Sequence, residues 1–210
     1  GIIFNKGTVS KIENTATGDI YAKRECAIGN SNTIGTITNA GMIRAGKGQT
    51  IKNSGSGDTI TLIENTTSSA TIKGEDDTIY NESGGIITTI KNAGTIQAWG
   101  SSNVVAINST GATIDTIENT GTIEANNDGR GISILSNGAI NTITNSGTIS
   151  GINADGVIYT GSTGTIGTIT NTSSGKIEGS DNDGAIKNVG TITTINNSGV
   201  ITDDTDNSIL

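Results

Sequence analysis

The sequence predicts an all-β fold, a right-handed parallel β-helix (solenoid) of about eight turns with about 26 residues in each turn. Three observations carry this prediction: a β-branched composition, a short phrase that returns at a nearly constant interval, and the lack of proline. Of the 210 residues, 36 are Ile, 35 are Thr and six are Val, whereas only three are Leu. Side chains branched at Cβ are stiff and favour strands over helices, so a helical bundle is excluded.

The phrase Ile-x-Asn recurs along the chain at steps of 25 to 27 residues. Its Ile, here called the anchor, occupies positions Ile12, Ile37, Ile63, Ile90, Ile117, Ile143, Ile169 and Ile195. A period of this length indicates a solenoid, because a propeller blade is longer and leucine-rich repeats require Leu. The other apolar positions follow at irregular intervals, unlike the six-residue spacing of a left-handed hexapeptide helix. The pattern therefore predicts three unequal strands per turn.

Stacking of the turns explains the composition. At the usual strand spacing of about 4.8 Å, seven steps give a rod roughly 34 Å long, with equivalent residues in columns. The chain contains no proline, which has no backbone N–H, because stacked parallel strands use nearly every backbone N–H in hydrogen bonds. A glycine lies four residues after many anchors, where we expect a positive φ that glycine adopts without strain. These glycines are Gly41, Gly94, Gly121, Gly147 and Gly199.

The charged and reactive residues exclude several functions. The chain has no His, so catalysis by a His base is excluded, and its single Cys26 allows neither an internal disulfide nor a multi-cysteine zinc site. A net charge of −8 argues against nucleic acid as a partner. No apolar run is long enough for a membrane helix. We expect no catalytic residue, no cofactor and no metal.

The fullest form of the repeat occurs as TIGTITNAGMI (33–43), TIDTIENTGTI (113–123) and TITTINNSGVI (191–201). It resembles the passenger domains of type V autotransporters, which Gram-negative bacteria secrete and which are long right-handed β-helices that act as adhesins or toxins. The resemblance spans the whole chain. It implies a signal peptide upstream, a membrane β-barrel downstream, and display on the outer membrane or release. Because the chain opens and closes within its repeat, we expect residues 1–210 to be one segment of a longer passenger.

The Asn of each repeat forms the most regular polar column. We expect a structural role, in which every side-chain amide donates to the Asn of the next turn, because a buried amide is costly unless it is satisfied. This Asn column comprises Asn14, Asn39, Asn65, Asn92, Asn119, Asn145, Asn171 and Asn197.

Binding residues are expected where the repeats differ most, on one edge of the rod. The variable segments are 22–26, 44–50, 73–78, 97–103, 124–131, 150–156 and 178–185. Loops held by a rigid scaffold tend to carry function. The binding candidates there are Trp99, Arg24, Arg44, Arg130, Asp128 and Asp155.

The expected function is a structural or adhesive rod that mediates cell attachment or self-association. Its partners would be host or neighbouring cell-surface molecules, with a membrane reached only through a barrel absent from this chain. One alternative is a polysaccharide lyase or hydrolase, because some polysaccharide lyases share the β-helix fold and use Asp together with Lys or Arg for catalysis. Another is an ice-binding surface, because Thr also forms columns, four residues and one residue before the anchors. Those two Thr columns are expected to flank a bend and to take no part in binding.

Overall fold

The computed structural model describes residues 1–100, 104–152, 156–180 and 184–203, and it shows a parallel β-solenoid. The described residues form 24 strands, numbered β1 to β24 in chain order, and contain no helix. The strands belong to three parallel sheets of eight strands each. One strand from each sheet makes a rung, and eight rungs, numbered from the N-terminus, stack with a repeat of about 26 residues. The predicted all-β solenoid is confirmed.

Each rung runs through sheet A, then sheet B, then sheet C. Sheet A contains β1 (Ile3–Asn5), β4 (Ile28–Asn30), β7 (Ile51–Ser54), β10 (Ile79–Glu82), β13 (Val105–Thr110), β16 (Arg130–Leu135), β19 (Ile158–Thr160) and β22 (Ile186–Asn188). Sheet B contains the longest strands, β2 (Thr8–Asn14), β5 (Thr33–Asn39), β8 (Thr59–Asn65), β11 (Ile86–Asn92), β14 (Thr113–Asn119), β17 (Ala139–Asn145), β20 (Thr165–Asn171) and β23 (Thr191–Asn197). Sheet C contains β3 (Asp19–Ala22), β6 (Met42–Ala45), β9 (Thr71–Gly74), β12 (Thr95–Ala98), β15 (Thr122–Ala125), β18 (Thr148–Gly151), β21 (Lys176–Gly179) and β24 (Val200–Asp203).

The core consists of Ile columns from all three sheets. The anchors of rungs 2 to 7 lie on sheet B and are 0% exposed, as predicted. They pair in register, as Ile90 does with Ile117. Ile34 and Ile37 are both buried although they are three residues apart, so each sheet B strand bends between these positions. The bend lets a single seven-residue strand contribute two Ile columns to the core.

The rod ends expose part of this core. The anchor Ile195 of rung 8 is 47% exposed, because rung 8 is the last rung of the described residues. No helix in the described ranges is long and apolar enough to cross a membrane.

The expected positive φ at the glycines that follow the anchors is wrong. Positive φ occurs at other glycines, including Gly57 and Gly84, but at none of the five predicted positions. Those five are required for a different reason: a Cβ on any of them would collide with a backbone carbonyl oxygen of the preceding rung. For Gly121 the obstructing oxygen belongs to Gly94. Glycine is therefore needed for close stacking of the B–C corners, where the chain passes from sheet B to sheet C.

The C–A corners, where the chain passes from sheet C to the next rung of sheet A, are the longest and most varied connections. They lie across the core from sheet B, because the three sheets form the three sides of the rod. The C–A corners thus form the loop edge that the sequence predicts. Residues 101–103, 153–155 and 181–183 of these corners lie outside the described ranges.

Candidate functional site: the loop edge and the outer face of sheet A

The Asn column is a continuous ladder of buried amides. Each Nδ2 donates to the Oδ1 of the Asn one rung later, at 2.8 to 2.9 Å, from Asn14 through to Asn197. Each amide from Asn14 to Asn171 also lies within hydrogen-bonding distance of two backbone carbonyls. For Asn119 these belong to Gly121, at 3.2 Å, and Thr148, at 3.0 Å. From rung 2 to rung 7 the column is at most 2% exposed, so its amides are inaccessible to a ligand.

A second amide ladder, which sequence reasoning missed, lies on sheet A. Asn5, Asn30 and Asn53 each donate to the next Asn of the column at 2.8 Å, and Asn81 accepts the last of these bonds. The signal was present in the sequence, since each of these residues also stands two positions after a core Ile. The ladder ends at Ser109, which pairs with Asn81 in register. The two halves of the rod thus differ in what fills this column of sheet A.

Three of the predicted binding residues lie in the C–A corners. Trp99 is 41% exposed, and its backbone N–H donates to the carbonyl of Gly74 at 2.9 Å, which holds the backbone of the corner against the preceding rung. Arg24 and Asp128 are exposed. Asp128 has a φ of 61°, in the left-handed region where Asp and Asn are enriched. The predicted residue Asp155 lies outside the described residues.

The other two candidates, Arg44 and Arg130, lie on strands rather than in corner loops, which corrects their predicted placement. Arg44 is on β6 of sheet C, where its guanidinium pairs with Asp19 at 2.8 Å and stacks 4.1 Å from the Tyr21 ring. Arg130 opens β16 of sheet A and stacks 4.1 Å from the ring of Tyr159. Both guanidinium groups make contacts within the rod: Arg44 is the register partner of Tyr21, whereas Arg130 reaches the ring of Tyr159, whose register partner is Ser133.

The pair of Arg44 and Asp19 has an electrostatic effect that fits its geometry. The hydrogen bonds from Arg44 hold the pKa of Asp19 below its usual range. Because both side chains are exposed to solvent, the pair adds little stability. Its effect is to hold the Arg44 side chain along the outer face of sheet C rather than extended into solvent.

The least expected feature is a carboxylate buried beside the loop edge. Asp77, at the end of a C–A corner, is only 9% exposed. Its Oδ1 accepts the backbone N–H of Val105 at 2.9 Å, and its Oδ2 accepts Nδ2 of Asn108 at 2.7 Å. Asn108 in turn accepts the hydroxyl of Thr110 at 3.0 Å. Asp77 therefore links rung 4 to rung 5 through two hydrogen bonds.

This network is coupled to charges on the outer face of sheet A. Burial raises the pKa of Asp77 to about 6, against the lowering effect of its hydrogen bond from Asn108. Burial and the nearby carboxylate of Glu82 raise the pKa of Tyr80 to about 12. Glu82 is itself paired with Lys52 at 2.8 Å. Lys52, Tyr80 and Asn108 occupy successive rungs of one column, so the network follows the rod axis.

The described residues include no group of three or more Asp, Glu, Cys or His side chains placed to hold a metal ion. Asp76 accepts a hydrogen bond from Gln49 at 3.1 Å, and its neighbour Asp77 is committed to the inter-rung network. Two further acidic residues of the sequence, Asp181 and Asp183, lie outside the described ranges. Cys26 is a half-buried free thiol.

No family model, curated protein or solved structure matches this chain. The fold is established as a parallel β-solenoid by the stacking of its rungs. This architecture is compatible with an autotransporter passenger domain.

Proposed function

We propose that this chain is a segment of an adhesive rod, displayed on or released from a bacterial surface in the manner of an autotransporter passenger. The rod binds host or neighbouring cell-surface molecules through its loop edge. The observation that carries the proposal is the division of the rod into repetitive sheets and varied C–A corners. The strand residues repeat in register from rung to rung, and their inward side chains stabilise the stack of rungs. The C–A corners, in contrast, differ in length, charge and aromatic content from rung to rung.

The chemistry of the loop edge favours a particular class of partner. Trp99 offers an apolar ring that is still partly exposed, and such rings are frequent anchors of protein interfaces. Arg24 offers a planar guanidinium on the same edge, suited to paired hydrogen bonds with a carboxylate or an amide. The chain as a whole carries a net charge of −8, which disfavours sulfated polymers such as heparin. Proteins and neutral glycans therefore suit this edge better than polyanions.

The test compares loop-edge variants with a variant of a sheet face. Trp99→Ala and Arg24→Ala are each expected to weaken attachment of the purified rod to cells by about tenfold, the size of a moderate interface anchor. Thr89→Val, which keeps its size and lies on the outer face of sheet B, is the matched control and should bind as the unmodified rod does. Circular dichroism shows whether each variant keeps its β-structure.

Two results would contradict the assignment. One is loss of attachment in Thr89→Val alone, with its β-structure intact. The other is tight heparin binding by the unmodified rod, which would mean that the partner recognises the cations despite the net negative charge. The secretion route is tested separately, by sequencing the complete reading frame for a C-terminal membrane β-barrel.

A further inference from the structure

Two large apolar side chains are exposed on the loop edge in the middle of the rod. Between the terminal rungs, the described residues expose three large apolar side chains: Ile86 at 39%, Trp99 at 41% and Ile152 at 49%. Ile86 lies on sheet B, whereas Trp99 and Ile152 both lie in C–A corners. Exposed apolar surface away from the rod ends is therefore concentrated on the loop edge.

Trp99 and Ile152 belong to one column, with Asn126 between them. The backbone N–H of Asn126 donates to the carbonyl of Ala98 at 3.0 Å, and that of Ile152 donates to the carbonyl of Ala125 at 3.2 Å. Ala98 and Ala125 pair in register and are buried. Because side chains alternate along a strand, the residues that follow them project outward, one from each of rungs 4, 5 and 6. We call the space between Trp99 and Ile152 the apolar cleft.

The spacing of the rungs gives the apolar cleft the width of one side chain. Trp99 and Ile152 are two rungs apart, roughly 10 Å at the usual strand spacing. Apolar groups make contact at about 4 to 4.5 Å between heavy atoms, so one inserted side chain can contact both walls. Asn126 forms the floor, is half-buried, and its side-chain amide makes no hydrogen bond to any described residue. This amide can donate to, and accept from, the backbone of a bound segment.

The surface around the apolar cleft is acidic. Glu75 precedes Trp99 in the same column, one rung earlier, because β9 and β12 pair in register, and Asp76 follows it in the same corner. Asp128 is exposed two residues after the floor of the cleft. Within the described ranges these three carboxylates form no ion pair. With Lys73 as the cation beside them, the rim carries three negative charges against one positive charge.

We propose that the apolar cleft binds a basic segment of a partner protein, which inserts one large apolar side chain between Trp99 and Ile152. This inference rests on the proposed function of the loop edge and narrows its partner to a protein. The acidic rim attracts Lys and Arg residues that flank the inserted side chain, which speeds the encounter, and burial of that side chain slows dissociation. A neutral glycan supplies no cation, so it would leave the carboxylates of the rim without partners.

Trp99 is the only Trp of the chain, so its fluorescence reports directly on the apolar cleft. The probe is a short peptide with blocked ends in which one Phe stands between pairs of Lys. It should shift the emission of Trp99 to the blue, because the inserted ring replaces water beside the indole. A peptide with Ala in place of Phe, or with Glu in place of the Lys residues, should bind at least about tenfold more weakly. Maltohexaose, a neutral glycan, should leave the emission unchanged.

The chain provides a matched pair of Ile residues for the test. Ile152→Ala and Ile86→Ala remove the same atoms from side chains of similar exposure, 49% and 39%. Ile152→Ala should weaken binding of the Phe peptide and attachment to cells by about tenfold, whereas Ile86→Ala should leave both within about twofold. Asn126→Lys places a cation on the floor of the cleft and should weaken peptide binding at least as much, because like charges then meet. Circular dichroism shows whether each variant keeps its β-structure.

The proposal is overturned if the Phe and Ala peptides bind equally, if the two Ile variants behave alike, or if the Phe peptide leaves the emission of Trp99 unchanged at every concentration. Binding of maltohexaose in place of the peptide overturns it as well. The cell assay separates this proposal from the wider one. Normal attachment of both Trp99→Ala and Arg24→Ala overturns the loop-edge function itself. Loss of attachment in those two variants, with normal attachment of Ile152→Ala, overturns the apolar cleft alone.

Discussion

Replacing Asn119 by Ala removes one step of the amide ladder in the middle of the rod. In the native rod the amide of Asn119 donates to Oδ1 of Asn145 at 2.8 Å and accepts from Nδ2 of Asn92 at 2.8 Å. After the substitution Asn145 loses the donor to its buried oxygen. Asn92 loses one acceptor but keeps the carbonyls of Gly94, at 3.1 Å, and Thr122, at 2.9 Å. The damage is therefore one-sided, with a single buried acceptor left unpaired.

The expected loss in free energy of unfolding is about 1–3 kcal/mol, the usual cost of an unmet buried polar group. For a chain of this length, roughly 2 kcal/mol corresponds to a fall in Tm of about 4–8 °C. Thermal melts followed by circular dichroism measure this shift. Because a solenoid is stabilised rung by rung, the increase in hydrogen exchange relative to the unmodified rod should be largest at rungs 4 to 6.

Asn197→Ala is the control for this prediction. Asn197 lies on the exposed terminal rung, where water replaces the acceptor that the amide of Asn171 loses. Its substitution should therefore change the free energy of unfolding by no more than about 0.5 kcal/mol. An unchanged Tm for Asn119→Ala, or equal losses in the two variants, would mean that the ladder does not stabilise the rod.

Two further substitutions test other features. The raised pKa of Asp77, from 3.8 to about 6, means that the folded rod binds this proton more tightly than the unfolded chain does. Stability should therefore rise as pH falls through 6 toward 4. Urea titrations should show that the unmodified rod gains up to about 3 kcal/mol in free energy of unfolding relative to Asp77→Asn across that window. If the difference in free energy between the two proteins did not depend on pH, the burial of the charge would be contradicted. Gly121→Ala should lower Tm strongly, because the new Cβ collides with the carbonyl oxygen of Gly94. Gly7→Ala is the control: its Cβ meets open space, so the substitution should be neutral or slightly stabilising. Equal Tm values for the two variants would mean that the B–C corners stack less closely than the structure shows.

The core could be predicted because one short pattern repeats eight times. The column three residues before the anchor keeps that distance in all eight rungs, and the sheet C Ile lies six residues after the anchor in five of them, so the sequence identifies these inward positions, whereas the sheet A Ile shifts between 14 and 17 residues after the anchor. The same periodicity identifies the Asn column, since the residue two positions after the anchor is never replaced. Repetition supplies several independent observations of each position, which a single non-repetitive chain does not offer.

The contacts between rungs could not be predicted in the same way. The partners of Asp77 lie 28 and 31 residues later, and the lengths of the intervening corners decide which side chains face it. The stacking of Arg44 on Tyr21 likewise depends on register between sheet C strands. Corner lengths vary from rung to rung, so a periodic pattern fixes the strands but leaves the pairing of outward side chains undetermined.

The glycines show a second limit of reasoning from residue type. Glycine permits both a positive φ and close backbone approach, and a sequence does not distinguish them. In this rod the positions after the anchors need space rather than an unusual φ, because the B–C corners of successive rungs are nearly in contact. The positive φ angles occur mainly in the A–B and C–A corners, at Gly48, Gly57 and Gly84 among others.

The arrangement of the three sides separates stability from recognition. Inward columns of Ile and Asn hold every rung in register, so substitutions on the outer surface change charge and shape with little effect on the core. Sheet B, with the longest strands, provides two of the core columns and, in rungs 6 to 8, an uncharged exterior. The loop edge, across the core from that exterior, gathers Trp99, Arg24 and Asp128. A rod built in this way can meet a different partner on each side, because a single substitution on one side leaves the other side and the core between them unchanged.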